Sequence, residues 1–229
     1  MYESYRKQMP QKLQSMLTAE HQKILCIGDP LDNIKALCER EGREFVSVNA
    51  LSPDWQDISR EQPSLNLDLP EKHFDLLVVY HALEQALDPE RLLLQLRRYV
   101  QPQGQCFLVG FNIGHISTVT NLLTEGWSYQ EDGPLRQHHV RYFSNESLRY
   151  LMEQAGFEFT DEVVYQMLQQ PALTKQLVQM MQNPYLGILS FIMVGSKVNS
   201  FPFIDFEEDT EKVPPVRREP HRSQPAQSP

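Results

Sequence analysis

Three observations predict an α/β protein with a doubly wound, mainly parallel sheet. Short apolar runs alternate with amphipathic stretches from about residue 23 to residue 198. The runs are bounded by glycine or polar residues, as buried parallel strands are. The stretches between them carry helix start and stop signals. This alternation places helices on both faces of one sheet.

Each element follows from its residues. Ile24-Leu25-Cys26-Ile27-Gly28 is a first strand ending at a glycine. Asp32 is the expected cap of a helix with Ile34, Leu37 and Cys38 on one face, stopped by Gly42. Phe45–Asn49 is a second strand, and Phe74–Tyr80 is the clearest central one. Asp88-Pro89 is an N-cap followed by proline at the first helical position. The helix it opens is expected to run through Leu92, Leu93, Leu96 and Val100 and to end at Pro102-Gln103-Gly104. Cys106–Phe111 is another strand. Ser144 opens a helix through Leu148, Leu151 and Met152 that stops at Gly156. A last strand pair, near Phe157–Val164 and Gly187–Val198, flanks a helix around Thr174–Met181.

Composition narrows the function classes. The chain has 229 residues, 41% of them apolar and 22% charged, with a net charge of -9. That is globular composition, and the acidic balance argues against general nucleic-acid binding, which needs a basic field. No apolar run reaches the length of a membrane span, and the first residues lack the apolar core of a secretory signal. The three cysteines, Cys26, Cys38 and Cys106, form no C-x-x-C pair. Buried thiols in a reducing cytoplasm are the expectation, with no structural metal. Residues 1–22 are expected to form a helical extension and residues 23–198 the main domain. Residues 199–229, acidic and then rich in Pro and Arg, are expected to be a disordered tail.

Three segments in order carry a resemblance. One is Asp68-Leu69-Pro70 followed by Phe74 through Pro89. The second is Leu96-Arg97-Arg98-Tyr99-Val100-Gln101-Pro102-Gln103-Gly104, leading to Phe111-Asn112. The third is His139-Val140-Arg141-Tyr142-Phe143-Ser144 with Leu148 and Ala155-Gly156-Phe157. Together they resemble class I S-adenosylmethionine-dependent methyltransferases of the small-molecule type, over roughly Lys23 to Val198. The resemblance implies a Rossmann-like, seven-stranded sheet. It implies S-adenosylmethionine as cofactor, and cofactor and acceptor sites beyond the carboxyl ends of the strands.

The resemblance implies cofactor contacts at Gly28, Asp29, Asn49, Ala50, Leu67, Asp68 and Tyr80. The sequence departs from the family pattern there. Cys26 stands where an acidic residue is usual, Pro30 where a second glycine is usual, and Asn49 where a ribose-binding carboxylate is usual. Asn49 can still accept a hydrogen bond, without charge. Asp68 has two readings, an acceptor for the adenine amine or the cap of a turn. His81 and His139 are the candidate bases, each with a structural alternative in a polar network or turn. Glu84, Asn112 and Tyr142 are the candidate acceptor contacts. The presumed lid, Gly126 to Gln137, holds Trp127 and Tyr129. The first function reading is methyl transfer to a small-molecule acceptor. The second, motivated by Cys26, Pro30 and Asn49, is a catalytically inactive methyltransferase fold serving as a binding or partner subunit.

Overall fold

In the computed structural model the described residues are 2–28, 31–49, 67–166 and 172–199. Among them six strands form one sheet: β1 (Lys23–Gly28), β2 (Glu44–Val48), β3 (Phe74–Tyr80), β4 (Val100–Phe111), β5 (Phe157–Gln166) and β6 (Ile188–Lys197). Their order across the sheet is β2-β1-β3-β4-β6-β5. The β2-β1, β1-β3 and β3-β4 pairs are parallel, and β6 runs antiparallel to both β4 and β5. The expected seven-stranded count is thus six among the described residues.

Side-chain alternation sorts the strand residues onto two cores. Leu25, Ile27, Leu77 and Val79 pack on one face with α3 (Pro89–Leu96) and α5 (Asn145–Gln154). Ile24, Cys26, Leu76 and Val78 pack on the other with α1 (Tyr2–Met16) and α2 (Asp32–Glu41). The doubly wound reading therefore holds. All three cysteines are buried, and none forms a disulfide among the described residues.

α1 is part of this second core. Its apolar residues Tyr5, Met9 and Leu13 recur every fourth position and so line one stripe of the helix. All three are at most 2% exposed. Burial of such side chains stabilises by roughly 1.5–3 kcal/mol each. Lys12 Nζ donates to Val164 O at 2.5 Å and the Tyr165 hydroxyl to Gln8 Oε1 at 3.1 Å, so α1 is pinned to β5 as well.

Two local expectations need correction. Asp32 is the first residue of α2 rather than its cap; Leu31 holds the cap position and gives no side-chain bond. The helix opened by Asp88 ends at Leu96, tightens into a 3₁₀ turn over Arg97–Tyr99, and gives way to β4 at Val100. Pro102-Gln103-Gly104 lies inside β4. The pairing of Phe74 with Val100 but Leu76 with Gln105 leaves the intervening residues as a bulge. Other signals act as expected. Asp88 Oδ1 accepts from Arg91 N–H at 2.9 Å. Ser144 and Ser147 form a reciprocal capping box, and Gly42 closes α2 in the left-handed region with φ of 70°.

The topology fixes where a ligand can sit. From β1 the chain crosses to β2 on one side, while β3 lies on the other. The carboxyl ends of β1 and β3 therefore diverge at a switch point, where the helices leave a crevice. Register aligns Gly28 with Tyr80, and Tyr80 with Val109, along one edge of the sheet.

Candidate active site at the switch point

A cavity of about 310 Å³ opens at that edge. Its floor is Tyr80, His81 and Phe111, from the ends of β3 and β4. α1 supplies Tyr2, Tyr5, Arg6 and Pro10 as one wall. Asp132, Gly133 and Arg136, from the expected lid segment, supply another, and Leu31 closes the side near Gly28. An ion pair between Arg6 and Asp132 ties α1 to the lid.

Gly28 is required by geometry. Its φ is 128°, and a Cβ there would lie 1.9 Å from the Tyr80 carbonyl oxygen. Only glycine permits this approach of backbone to backbone.

His81 is the centre of a buried polar chain. It leaves β3 with φ of 51°, a strained region for a residue with a side chain. Its backbone N–H is held by Val109 O at 3.0 Å. The ring is 3% exposed and stacks on Phe111 with centroids 4.1 Å apart. Nε2 lies 2.6 Å from the Tyr5 hydroxyl and Nδ1 lies 3.1 Å from Glu84 Oε1. Tyr5 also contacts Ser190 Oγ at 2.9 Å, and Ser190 Oγ contacts Gly110 O at 2.7 Å.

The donors and acceptors of this chain can be assigned from its ends. A carbonyl only accepts, so the Ser190 proton goes to Gly110 O. Tyr5 donates to Ser190. At the other end a carboxylate only accepts, so His81 Nδ1–H donates to Glu84. Both ring nitrogens of His81 are thus engaged, Nε2 by Tyr5 and Nδ1 by Glu84. Glu84 Oε1 also accepts from Phe111 N–H at 2.9 Å. Burial alone would raise the Glu84 carboxyl; the His81 hydrogen bond and the charges of His81 and His139 outweigh it and hold it below its ordinary value. Burial pushes the Tyr5 phenol well up, keeping it a donor.

The other expected residues fall as follows. His139 is 2% exposed and sits behind Phe111, with ring centroids 6.1 Å apart. It is not in the cavity lining. Its Nδ1 donates to Pro134 O at 3.0 Å, and its Nε2 is buried with no hydrogen-bond partner among the described residues. Burial lowers its proton affinity, partly opposed by the charge of Glu84. Asn112 spends both amide protons on Tyr185 O and Ile188 O, at 2.8 and 2.9 Å, and accepts from Gly114 N–H. It braces the end of β4 and does not reach the cavity lining. Tyr142 donates to His139 O at 3.0 Å and packs edge-on against Trp127.

Asn49 lies exposed one residue beyond β2, next to the crevice in register. Leu67 packs on the core, and its N–H donates to the Tyr99 hydroxyl at 2.9 Å. Asp68 is exposed in a bend. Neither of these two lines the cavity. Asp29 and Ala50 lie outside the described residues. Sequence reasoning missed Tyr2, Tyr5, Arg6 and Arg136. The one available signal for the first two was the apolar stripe of α1.

A family profile described as a methyltransferase domain matches residues 19–162. The chain belongs to that methyltransferase family. Its fold is similar to an S-adenosylmethionine-dependent methyltransferase of Archaeoglobus fulgidus, at 16% identity and a TM-score of 0.52, covering 84% of this chain and 94% of that one. It is also similar to one of Mesorhizobium loti, at 14% identity and a TM-score of 0.51, covering 82% of this chain and 96% of that one. A partially reducing polyketide synthase of Menisporopsis theobromae is 27% identical over 143 residues, which is 59% of this chain and 6% of that protein. The chain thus spans a small part of that relative. Among the described residues no helix is long and apolar enough to cross a membrane, and no group of three or more His, Cys, Asp or Glu could hold a metal ion.

Proposed function

We propose that the protein is an S-adenosylmethionine-dependent methyltransferase acting on a small-molecule acceptor. The observation that carries the reading is the cavity at the carboxyl ends of β3 and β4, beside the β1/β3 switch point, lined by Tyr80, His81 and Phe111. Such a crevice suits a nucleoside ligand, and family membership supports this one. When bound, S-adenosylmethionine supplies a methyl group already activated by its sulfonium charge. The protein's contribution is then mainly positioning. Gly28 admits the ligand close to backbone, and Asn49 offers a neutral acceptor to the ribose. Tyr80 and His81 form the floor on which the acceptor meets the cofactor, and α1 with the lid excludes water.

His81, with both ring nitrogens engaged by Tyr5 and Glu84, serves to orient Tyr5. His139 retains an unpartnered Nε2 but lies behind Phe111. Titration calorimetry with S-adenosylhomocysteine tests the reading. Saturable binding that Asn49→Ala weakens is expected; no heat at millimolar ligand would overturn it. The second reading, a fold retained for binding without catalysis, draws support from Cys26, which is buried within β1 and gives no carboxylate to the cofactor. Saturable binding of the cofactor with no methyl transfer to any acceptor class would favour it.

A further inference from the structure

Three aromatic side chains meet at the surface, away from the cavity. Trp127 and Tyr129 come from the segment after the helix Ile116–Thr124, and Tyr142 from the stretch before α5. The Trp127 ring stands edge-on to both tyrosines. Its centroid lies 6.3 Å from that of Tyr129 at 80°, and 5.2 Å from that of Tyr142 at 84°. Burial and then the neighbouring Tyr129 phenol push the Tyr142 phenol up, so all three rings stay uncharged at neutral pH. Trp127 is 49% exposed and Tyr129 56%. Tyr142 is half-buried and fixed by its bond to His139 O. None of the three lines the cavity, although Asp132, Gly133 and Arg136 of the same segment do. The segment therefore presents its aromatic corner to solvent.

One exposed aromatic is ordinary on a protein surface, but three in mutual contact form a patch. Each ring has a negative face, and two faces at a right angle both attract a cation placed in their corner. A cation about 4.5 Å above each of two perpendicular faces sets their centroids about 6.4 Å apart, well within the range of such contacts. Trp127 and Tyr129 match that spacing, and Tyr142 closes the base. The flanking charge has the matching sign. Glu125 and Glu131 are exposed on either side of the two rings, and neither has an ion-pair partner among the described residues. The arginines of the region serve other groups. Arg6 pairs with Asp132, Arg136 lines the cavity, and Arg141 donates to Val140 O and Leu87 O. We infer that Trp127, Tyr129 and Tyr142 form a binding site for the quaternary ammonium head of a small molecule. Such a head has no N–H to satisfy, so ring faces replace its water at little cost; a primary ammonium would forfeit hydrogen bonds there. The site is separate from the cofactor crevice, and the inference does not depend on the methyltransferase reading.

The test uses the full chain without cofactor. Choline, tetramethylammonium and 3,3-dimethylbutan-1-ol, the uncharged analogue of choline with carbon in place of nitrogen, are titrated by NMR. Binding is read on the tryptophan indole and backbone amide signals. Choline should bind at least about five-fold more tightly than the alcohol, as an exposed cation–π contact allows, and tetramethylammonium should share that advantage. Tyr129→Phe keeps the ring face and should retain most of the binding. Trp127→Leu and Tyr129→Leu keep apolar bulk without a face; each should weaken choline about five-fold and leave the alcohol nearly unchanged. Glu125→Gln with Glu131→Gln should weaken choline about two-fold at low salt and by less at high salt. All four positions are exposed, and unchanged urea midpoints show that the variants fold. Equal binding of choline and the alcohol would make the patch merely apolar. Retention of choline in both leucine variants would place its binding elsewhere. Either result overturns the inference, as does the absence of any signal change from the two cations at about 100 mM.

Discussion

His115 gives the protein a measurable acid sensitivity. It caps α4 (Ile116–Thr124), is 3% exposed, and its Nδ1 accepts from Ser117 N–H at 3.3 Å and contacts Ser117 Oγ at 2.7 Å. Burial pushes its pKa from 6.5 down to about 4. Above pH 6.5 the ring is neutral in both folded and unfolded chains and contributes nothing to pH dependence. Between pH 6.5 and 4 the unfolded chain binds a proton that the folded one does not, so stability falls as pH falls. At about 1.4 kcal/mol per unit, the loss reaches about 3 kcal/mol by pH 4. For a chain of this size that is a fall in melting temperature of roughly 6–12 °C. His115→Asn keeps an N-cap acceptor and removes the titration. Urea unfolding of both proteins at pH 7.5, 6.5, 5.5 and 4.5 isolates the effect from other acid-sensitive groups. The wild type should lose about 2–3 kcal/mol more than the variant across that range. Parallel curves for the two proteins would refute the burial argument.

Other expectations follow from the same structure. Gly28→Ala forces the Tyr80 backbone aside and should cost at least about 2 kcal/mol, read from urea midpoints, with loss of cofactor binding by calorimetry. Tyr5→Phe leaves His81 Nε2 and Ser190 Oγ short of a partner and should cost about 1–3 kcal/mol, while Tyr165→Phe, at a part-buried bond to Gln8, should cost less. Glu84→Gln removes the carboxylate that accepts from His81 Nδ1–H and Phe111 N–H and should cost about 1–3 kcal/mol, with much of the loss recovered in the double variant with His81→Asn. Because the Glu84 pKa is depressed, its contribution is present above its ordinary value and disappears as pH falls through the lower folded one; acid unfolding of Glu84→Gln should be correspondingly shallower.

The legible parts of the fold were those that rest on local pattern. The Phe74–Tyr80 strand runs as read because a fully buried parallel strand is a continuous apolar run. Ser144, Asp88 and Gly42 act as read because caps and stops depend on their own neighbours. The misreading at Pro102-Gln103-Gly104 has the same origin. Those residues are turn chemistry, and a strand bulge uses the same residues as a helix end; only the pairing with β3 tells them apart. At the site, the ends of β1, β3 and β4 were placed correctly by the alternation of elements. Which partners His81 and Asn112 engage was not legible, because those lie far along the chain, although a polar network was one of the two readings of His81. Nothing in the local sequence around His81 announces that Tyr5 occupies its Nε2, or that Asn112 is spent on Tyr185 and Ile188.

The bond between Tyr5 and Ser190 spans 185 positions, from the first helix to the strand inserted between β4 and β5. During synthesis at about 5–20 residues per second, Tyr5 leaves the ribosome on the order of ten seconds or more before its partner exists. Until β6 is in place, the Tyr5 hydroxyl lacks Ser190 as its partner and α1 has an incomplete surface to lie on. The crevice is therefore complete only once β6 has joined the sheet beside β4, and a chain that lacked β6 would lack the support that holds Tyr5 in its wall.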